Sequence, residues 1–124
     1  MKDNDARRLR LLQSAVYGEA IGDALGVPYE FLERDTFTCT GMVGGGSHRR
    51  PADTYSDDTA MTLATLDSLM HCDGHVDAAD LRQRFRDWLY DGKYTADGIV
   101  FDVGGTTKLA LARGRGLDGE RDNG

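Results

Sequence analysis

The chain has 124 residues, 40% of them hydrophobic and 29% charged, with a formal net charge of −6. That is the balance of an ordinary soluble protein with a single core, and one domain spanning residues 1–124 is expected. The acidic sign argues against nucleic acid or a membrane as the partner, and no apolar run approaches the ~20 residues of a membrane span. No secretory segment opens the chain, and Cys39 and Cys72 are too few for a disulfide framework, so the expected compartment is a reducing cytoplasm.

The first helix is expected to start at Asp3 or Asn4 and to carry Leu9, Leu12, Val16 and Ala20 on one face. Gly18, Gly22 and Gly26 follow at four-residue spacing. Glu19 and Asp23 rule out a membrane dimerisation face, so the glycines predict a bare stripe approached by another helix or a loop. Pro28 stops the helix, leaving Val27 to Phe31 as an extended exit. Glu30 lies between Tyr29 and Phe31, which by itself reads as a solvated carboxylate over ring edges. From Thr36 to Thr54 the chain has loop character. Gly44-Gly45-Gly46 lacks the Lys-Ser or Lys-Thr pair of a phosphate-cradling loop, and more simply lets backbone pass close to something. His48, Arg49 and Arg50 read as a solvated basic cluster.

The second helix is expected from Asp57 to Met70, with Met61, Ala64, Leu66, Leu69 and Met70 as its apolar contacts. Ser56 is a suitable N-cap, its hydroxyl accepting from an orphan N–H of the first turn. Asp57 and Asp58 then meet the positive end of the helix dipole, worth about 0.3–1 kcal/mol each. Two adjacent carboxylates also repel, which a cap does not require. A hard cation would relieve that repulsion, and three neighbouring oxygen donors suit Mg²⁺. A well-capped helix and half of a metal site both remain open at this point.

His71-Cys72-Asp73-Gly74-His75 lacks a second Cys/His pair at zinc spacing, and Gly74 reads as a helix stop. The third helix begins after Asp77 as N-cap, with Asp80 three residues on and Val76 stapled to Leu81. Leu81, Phe85, Trp88 and Leu89 share its apolar face, with Arg82, Arg84, Arg86 and Asp87 mostly outside it. A fourth helix starts at Thr106 or Thr107, runs through Leu109 and Leu111, and ends near Gly114 or Gly116. Residues 117–124, taken alone, read as a frayed tail.

Four blocks together resemble the ADP-ribosylglycohydrolase family: Gly18 to Phe31 (GEAIGDALGVPYEF), Ser56 to Met61 (SDDTAM), Tyr94 to Leu111, and terminal Asp122-Asn123-Gly124. Asp53 and Tyr55 depart mildly from the family, where Gly and Trp are common. The resemblance implies an all-α fold with two metal ions, usually Mg²⁺ with Mn²⁺ as a substitute, in a cleft. It implies that Ser56, Asp57 and Asp58 are metal ligands, that Glu30 is the glutamate of a mobile loop beside the substrate, and that Asp122, Asn123 and Gly124 begin a segment lining the ADP-ribose site. The family's second, Asp-rich ligand set is absent from these residues.

The implied reaction is hydrolysis of the bond between C1″ of ADP-ribose and an acceptor atom, through an oxocarbenium-like state that needs a positioned water. The partner is then an ADP-ribosylated protein or a small ADP-ribosyl conjugate. The chain by itself is expected to lack activity and to need a separate C-terminal half. Two other readings stand beside this one. One is a non-catalytic fragment that binds ADP-ribose or metal weakly. The other is a calcium module on Asp53, Asp57 and Asp58, although Tyr55, Asp58 and Ala64 break the EF-hand pattern.

Overall fold

The computed structural model describes residues 2–113. In chain order these form helix α1 (Lys2–Gly26), a 3-10 turn (Val27–Tyr29), α2 (Asp57–His71), α3 (Ala78–Asp91) and α4 (Gly105–Ala112). Among the described residues there is no strand, only an isolated bridge between Gly45 and Arg50, so the expected all-α class is what is observed. No described helix is long and apolar enough to cross a membrane. The chain divides into two compact units, Met1–Tyr55 and Ser56–Gly124.

In the first unit, burial of α1 is graded along its length. Leu9 and Leu12, expected to face a core, are 56% and 50% exposed, while Val16 and Ala20 are half-buried and Ala24 is buried. Residues with helical spacing thus share a face whose N-terminal half finds no cover among the described residues. The glycine stripe also departs from expectation: a Cβ placed at Gly18, Gly22 or Gly26 would meet nothing within 4 Å. Nor is the exit after Gly26 extended. Pro28 sits at the start of a 3-10 turn, where its missing N–H costs nothing, and the chain extends only at Glu30.

The long loop turns back onto that exit. Gly46 (φ +72°) lies so near the Pro28 backbone that a Cβ would come within 2.2 Å of the Pro28 carbonyl oxygen, the close passage anticipated for the triglycine run. Tyr29 stacks on Phe37 with centroids 4.6 Å apart. Tyr55, at the end of the unit, has its phenol pushed above the usual value by burial and by the Asp23 carboxylate of α1.

In the second unit, α2 packs on α3 and α3 on α4. The buried positions of α2 are small: Ala60, Ala64 and Ser68 at four-residue spacing, together with Thr59. The α3 anchor is Trp88, 1% exposed as expected. Met70, expected inside, is 78% exposed at the last turn of α2.

The Asp77 cap forms as predicted, its Oδ1 accepting from the N–H groups of Ala79 and Asp80, each at 3.0 Å. The Val76 staple does not, because Val76 points away and is 79% exposed. Gly92 (φ +72°) ends α3 in the left-handed region, its N–H donating to the carbonyls of Asp87 and Trp88. Helix α4 has no basic residue in its own last turn. Arg82 and Arg86 of α3 reach across and donate to the carbonyls of Leu111 and, for Arg82, Arg113, which satisfies the orphan acceptors there.

Candidate functional site

Ser56 occupies the N-cap of α2 in extended backbone, and the first helical bond runs from the Ala60 N–H to its carbonyl at 3.3 Å. Its hydroxyl, however, makes no capping bond. It donates instead to the Asp57 carboxylate, a charge-assisted bond. Burial pushes the Asp57 carboxyl up to about 6, and the carboxylates of Asp102 and Asp58 push in the same direction. Bonds from the Ser56 hydroxyl and the Asp58 N–H only partly offset this. Ser56 is buried, Asp57 half-buried and Asp58 exposed, so the group grades from interior to solvent.

Asp102 is the residue that sequence reasoning passed over. It lies between Phe101 and Val103 just before the glycine pair that opens α4, with φ +56°. An acidic residue flanked by apolar ones next to a Gly-Gly-Thr helix start was a usable signal, but nothing local says which helix end it meets. Its charge, with that of Asp58, acts on Asp57 beside Ser56 at the start of α2. The donor set there is oxygen only and mutually repulsive, as suits a hard divalent cation.

Glu30 belongs to the first unit, where it is not simply solvated. Its Oε2 lies 2.6 Å from His48 Nε2, with the histidine side chain 13% and the glutamate 34% exposed. The Phe31 ring tilts against the imidazole at 5.6 Å between centroids, and the Ser47 hydroxyl donates to the Glu30 carbonyl at 3.4 Å. His48 was read as a solvated surface group. The fold of the loop at Gly46 brings it onto Glu30 instead, a correction that only the loop geometry could supply.

Further along α2 a second polar cluster forms. Arg84 donates from Nε to Asp80 Oδ2 at 2.7 Å and from a terminal nitrogen to Asp67. The Ser68 hydroxyl donates to Asp80 Oδ2 at 2.6 Å, and the Tyr94 phenol donates to Asp67 Oδ2 at 2.5 Å. Both carboxyls are held below the usual range, Asp67 chiefly by the Tyr94 hydroxyl and Asp80 chiefly by Arg84. Arg84, expected outside the packed face, therefore has a side chain only 14% exposed. Asp80 serves this cluster rather than a capping box.

Asp122, Asn123 and Gly124 lie outside the described residues. A sequence model of the ADP-ribosylglycohydrolase family matches residues 4–124. The chain is 36% identical over 107 residues to an ADP-ribosylarginine hydrolase of Serratia proteamaculans, which covers 86% of this chain and 29% of that protein. Against an ADP-ribosylarginine hydrolase of Pseudomonas putida the identity is 38% over 99 residues, covering 80% and 26%. An ADP-ribosyl-[dinitrogen reductase] glycohydrolase of Rhodospirillum rubrum is 34% identical over 104 residues, covering 80% and 33%. The chain thus spans a third or less of the length of these curated relatives.

Proposed function

The chain belongs to the ADP-ribosylglycohydrolase family, and from that premise we propose that it forms one side of a Mg²⁺-dependent site that hydrolyses the C1″ bond of ADP-ribosylated arginine. What supports the metal reading is the run of oxygen donors Ser56, Asp57 and Asp58 at the start of α2, with the Asp57 carboxyl raised to about 6 by burial and by the charges of Asp102 and Asp58. The arginine acceptor is proposed from the names of two relatives at 36% and 38% identity.

Ser56, Asp57, Asp58 and Asp102 would hold the cation, with Mn²⁺ as a substitute. Once bound, it supplies Lewis acidity and a fixed template for oxygen groups of the substrate. Ser56 keeps its hydroxyl oriented by donating to Asp57. We assign Glu30 the water's proton: its carboxylate accepts a proton as the water oxygen bonds to C1″ and the acceptor nitrogen departs. His48, 2.6 Å from Oε2, orients the Glu30 carboxylate. Asp122, Asn123 and Gly124 are proposed to border the ADP-ribose.

The catalytic unit we propose is larger than these residues, because three carboxylates on one side of a two-metal site leave the opposite side to be supplied. The test is ADP-ribose release from ADP-ribosyl-arginine, with Mg²⁺ or with EDTA. It is run on residues 1–124 alone and on the same residues joined to the C-terminal part of the Serratia relative. Release only by the joined protein, and only with Mg²⁺, is the expected result. Mg²⁺-dependent release by residues 1–124 alone would refute the shared-site reading, and EDTA-resistant release would refute the metal.

A further inference from the structure

The exit from α1 closes in a tight turn of a kind that its sequence does not favour. The Leu32 N–H donates to the Tyr29 carbonyl at 3.1 Å, which makes residues 29–32 a four-residue turn. Glu30 takes the second position with φ −59° and ψ 140°, and Phe31 the third with φ +66°. These are the angles of a type II turn, whose third position is left-handed and is therefore usually glycine. A phenylalanine there sets its Cβ against its own backbone, a strain that glycine would not carry.

Four of the seven described non-glycine residues with positive φ are aspartates, a type that tolerates this state. Tyr94, the other aromatic, is held in it by a hydroxyl that donates to Asp67 and accepts from Arg84. Phe31 has no such polar handle, and it is 75% exposed. Burial among the described residues therefore returns little for the strain. What the turn does achieve is placement. Glu30 Oε2 lies 2.6 Å from His48 Nε2, and the Phe31 ring tilts against the same imidazole at 5.6 Å between centroids. The ring thus borders the Glu30 carboxylate through a shared neighbour while most of its surface stays open. A strained, exposed apolar ring beside a functional carboxylate points to a ligand rather than to the fold.

In the reaction assigned to Glu30, the water meets C1″ on the side opposite the departing nitrogen. A group beside Glu30 then faces the ribosyl ring, away from the arginine. We infer that Phe31 is a substrate-contact residue whose ring packs on the ribosyl group of ADP-ribose next to Glu30. Its apolar surface suits the C–H groups of a sugar, and the left-handed turn is what presents it there. The inference rests on the assignment of Glu30 above, and its test separates the two.

ADP-ribose is titrated calorimetrically, with Mg²⁺ present, into the joined protein described above, as wild type, Phe31→Gly and Phe31→Tyr. The same proteins, with Glu30→Gln beside them, are melted and assayed on ADP-ribosyl-arginine. Phe31→Gly should weaken ADP-ribose binding about 10-fold and raise KM alike, in keeping with partial burial of a phenyl group. It should melt no lower than wild type, because relief of the left-handed strain offsets the freedom that glycine gains in the unfolded chain. Phe31→Tyr keeps the ring and should bind ADP-ribose as wild type does. A ring that only packs against the rest of the fold would give the reverse, a lower melting point with binding unchanged.

If the joined wild-type protein releases no ADP-ribose, or its Glu30→Gln variant turns over near the wild-type rate, the reading of the site falls and this inference with it. If those two hold but Phe31→Gly binds ADP-ribose as wild type does, melts several degrees lower or fails to fold, only the role of the ring is overturned. A raised KM with ADP-ribose binding unchanged would overturn it too, by putting the ring against the arginine, as would an equal loss of binding in Phe31→Tyr.

Discussion

Helix α2 carries a cluster of carboxylates at its start and another toward its end, and their surroundings differ in sign. At the start, burial first and then the charges of Asp102 and Asp58 push the Asp57 carboxyl up to about 6. Ten residues on, Asp67 and Asp80 are met by Arg84, Tyr94 and Ser68, and both carboxyls are held below the usual value. The second cluster is internally matched, with donors provided for its oxygens. In the first, burial and like charge raise a carboxyl, the environment a bound cation would favour. Acidity alone thus does not distinguish the two ends of α2; the direction of the carboxyl shifts does.

The comparison breaks most readily at the level of rate. In a protein joined to a complementary C-terminal part, Asp57→Asn should abolish Mg²⁺-dependent ADP-ribose release at any attainable Mg²⁺. Asp67→Asn should leave Mg²⁺-dependent kcat within a few-fold of wild type. Equal losses of kcat from the two variants would erase the distinction. Glu30→Gln should lower kcat by about 10²–10⁴-fold, the usual range for an acid–base group, with Mn²⁺ affinity unchanged. Turnover within a few-fold of wild type would return Glu30 to a structural role.

Stability changes come next in size. Gly92→Ala forces a left-handed residue and a Cβ onto the Gly98 carbonyl, backbone against backbone, and should cost about 1–3 kcal/mol in denaturant melts. An unchanged midpoint would mean the turn gives way easily. Arg84→Ala leaves Asp67 and Asp80 without their shared cation and should lower Tm by several degrees.

The smallest effect is on pH dependence, and the two clusters push in opposite directions. The Asp57 carboxyl moves from 3.8 to about 6 on folding, so the folded state binds more protons between those values. The stability it contributes is present below about 3.8 and lost as pH rises through 6. By linkage the loss is at most about 3 kcal/mol, and on the order of 1 after solvent screening of a half-buried group. Asp67 and Asp80 are shifted down, so their contribution is present above 3.8 and lost as pH falls through their folded values. Metal-free melts from pH 4 to 7 should therefore show a decline that Asp57→Asn removes and Mg²⁺ suppresses. A decline that persists in Asp57→Asn would place its source elsewhere.

What the sequence determined alone was whatever is encoded within a few residues. The Asp77 cap opens α3 as expected, because capping bonds join neighbours in the chain. Asp57 and Asp58 stand at the start of α2 because their adjacency is covalent. The family, too, was legible, in blocks of consecutive residues that its sequence model also matches. The tertiary structure decided which distant groups meet. Asp102 acts on Asp57 from 102 − 57 = 45 residues away, and His48 reaches Glu30 from 18 away. Each pairing depends on a connection that reverses through left-handed residues and a glycine pressed on backbone, geometry that periodicity does not register. Burial likewise depends on cover, not on pattern: Leu9 and Leu12 keep helical spacing and remain exposed, while Arg84, read as a surface charge, is drawn inward by two carboxylates and a phenol. A side chain's own chemistry says what it can pair with; only the path of the rest of the chain says whether that partner arrives.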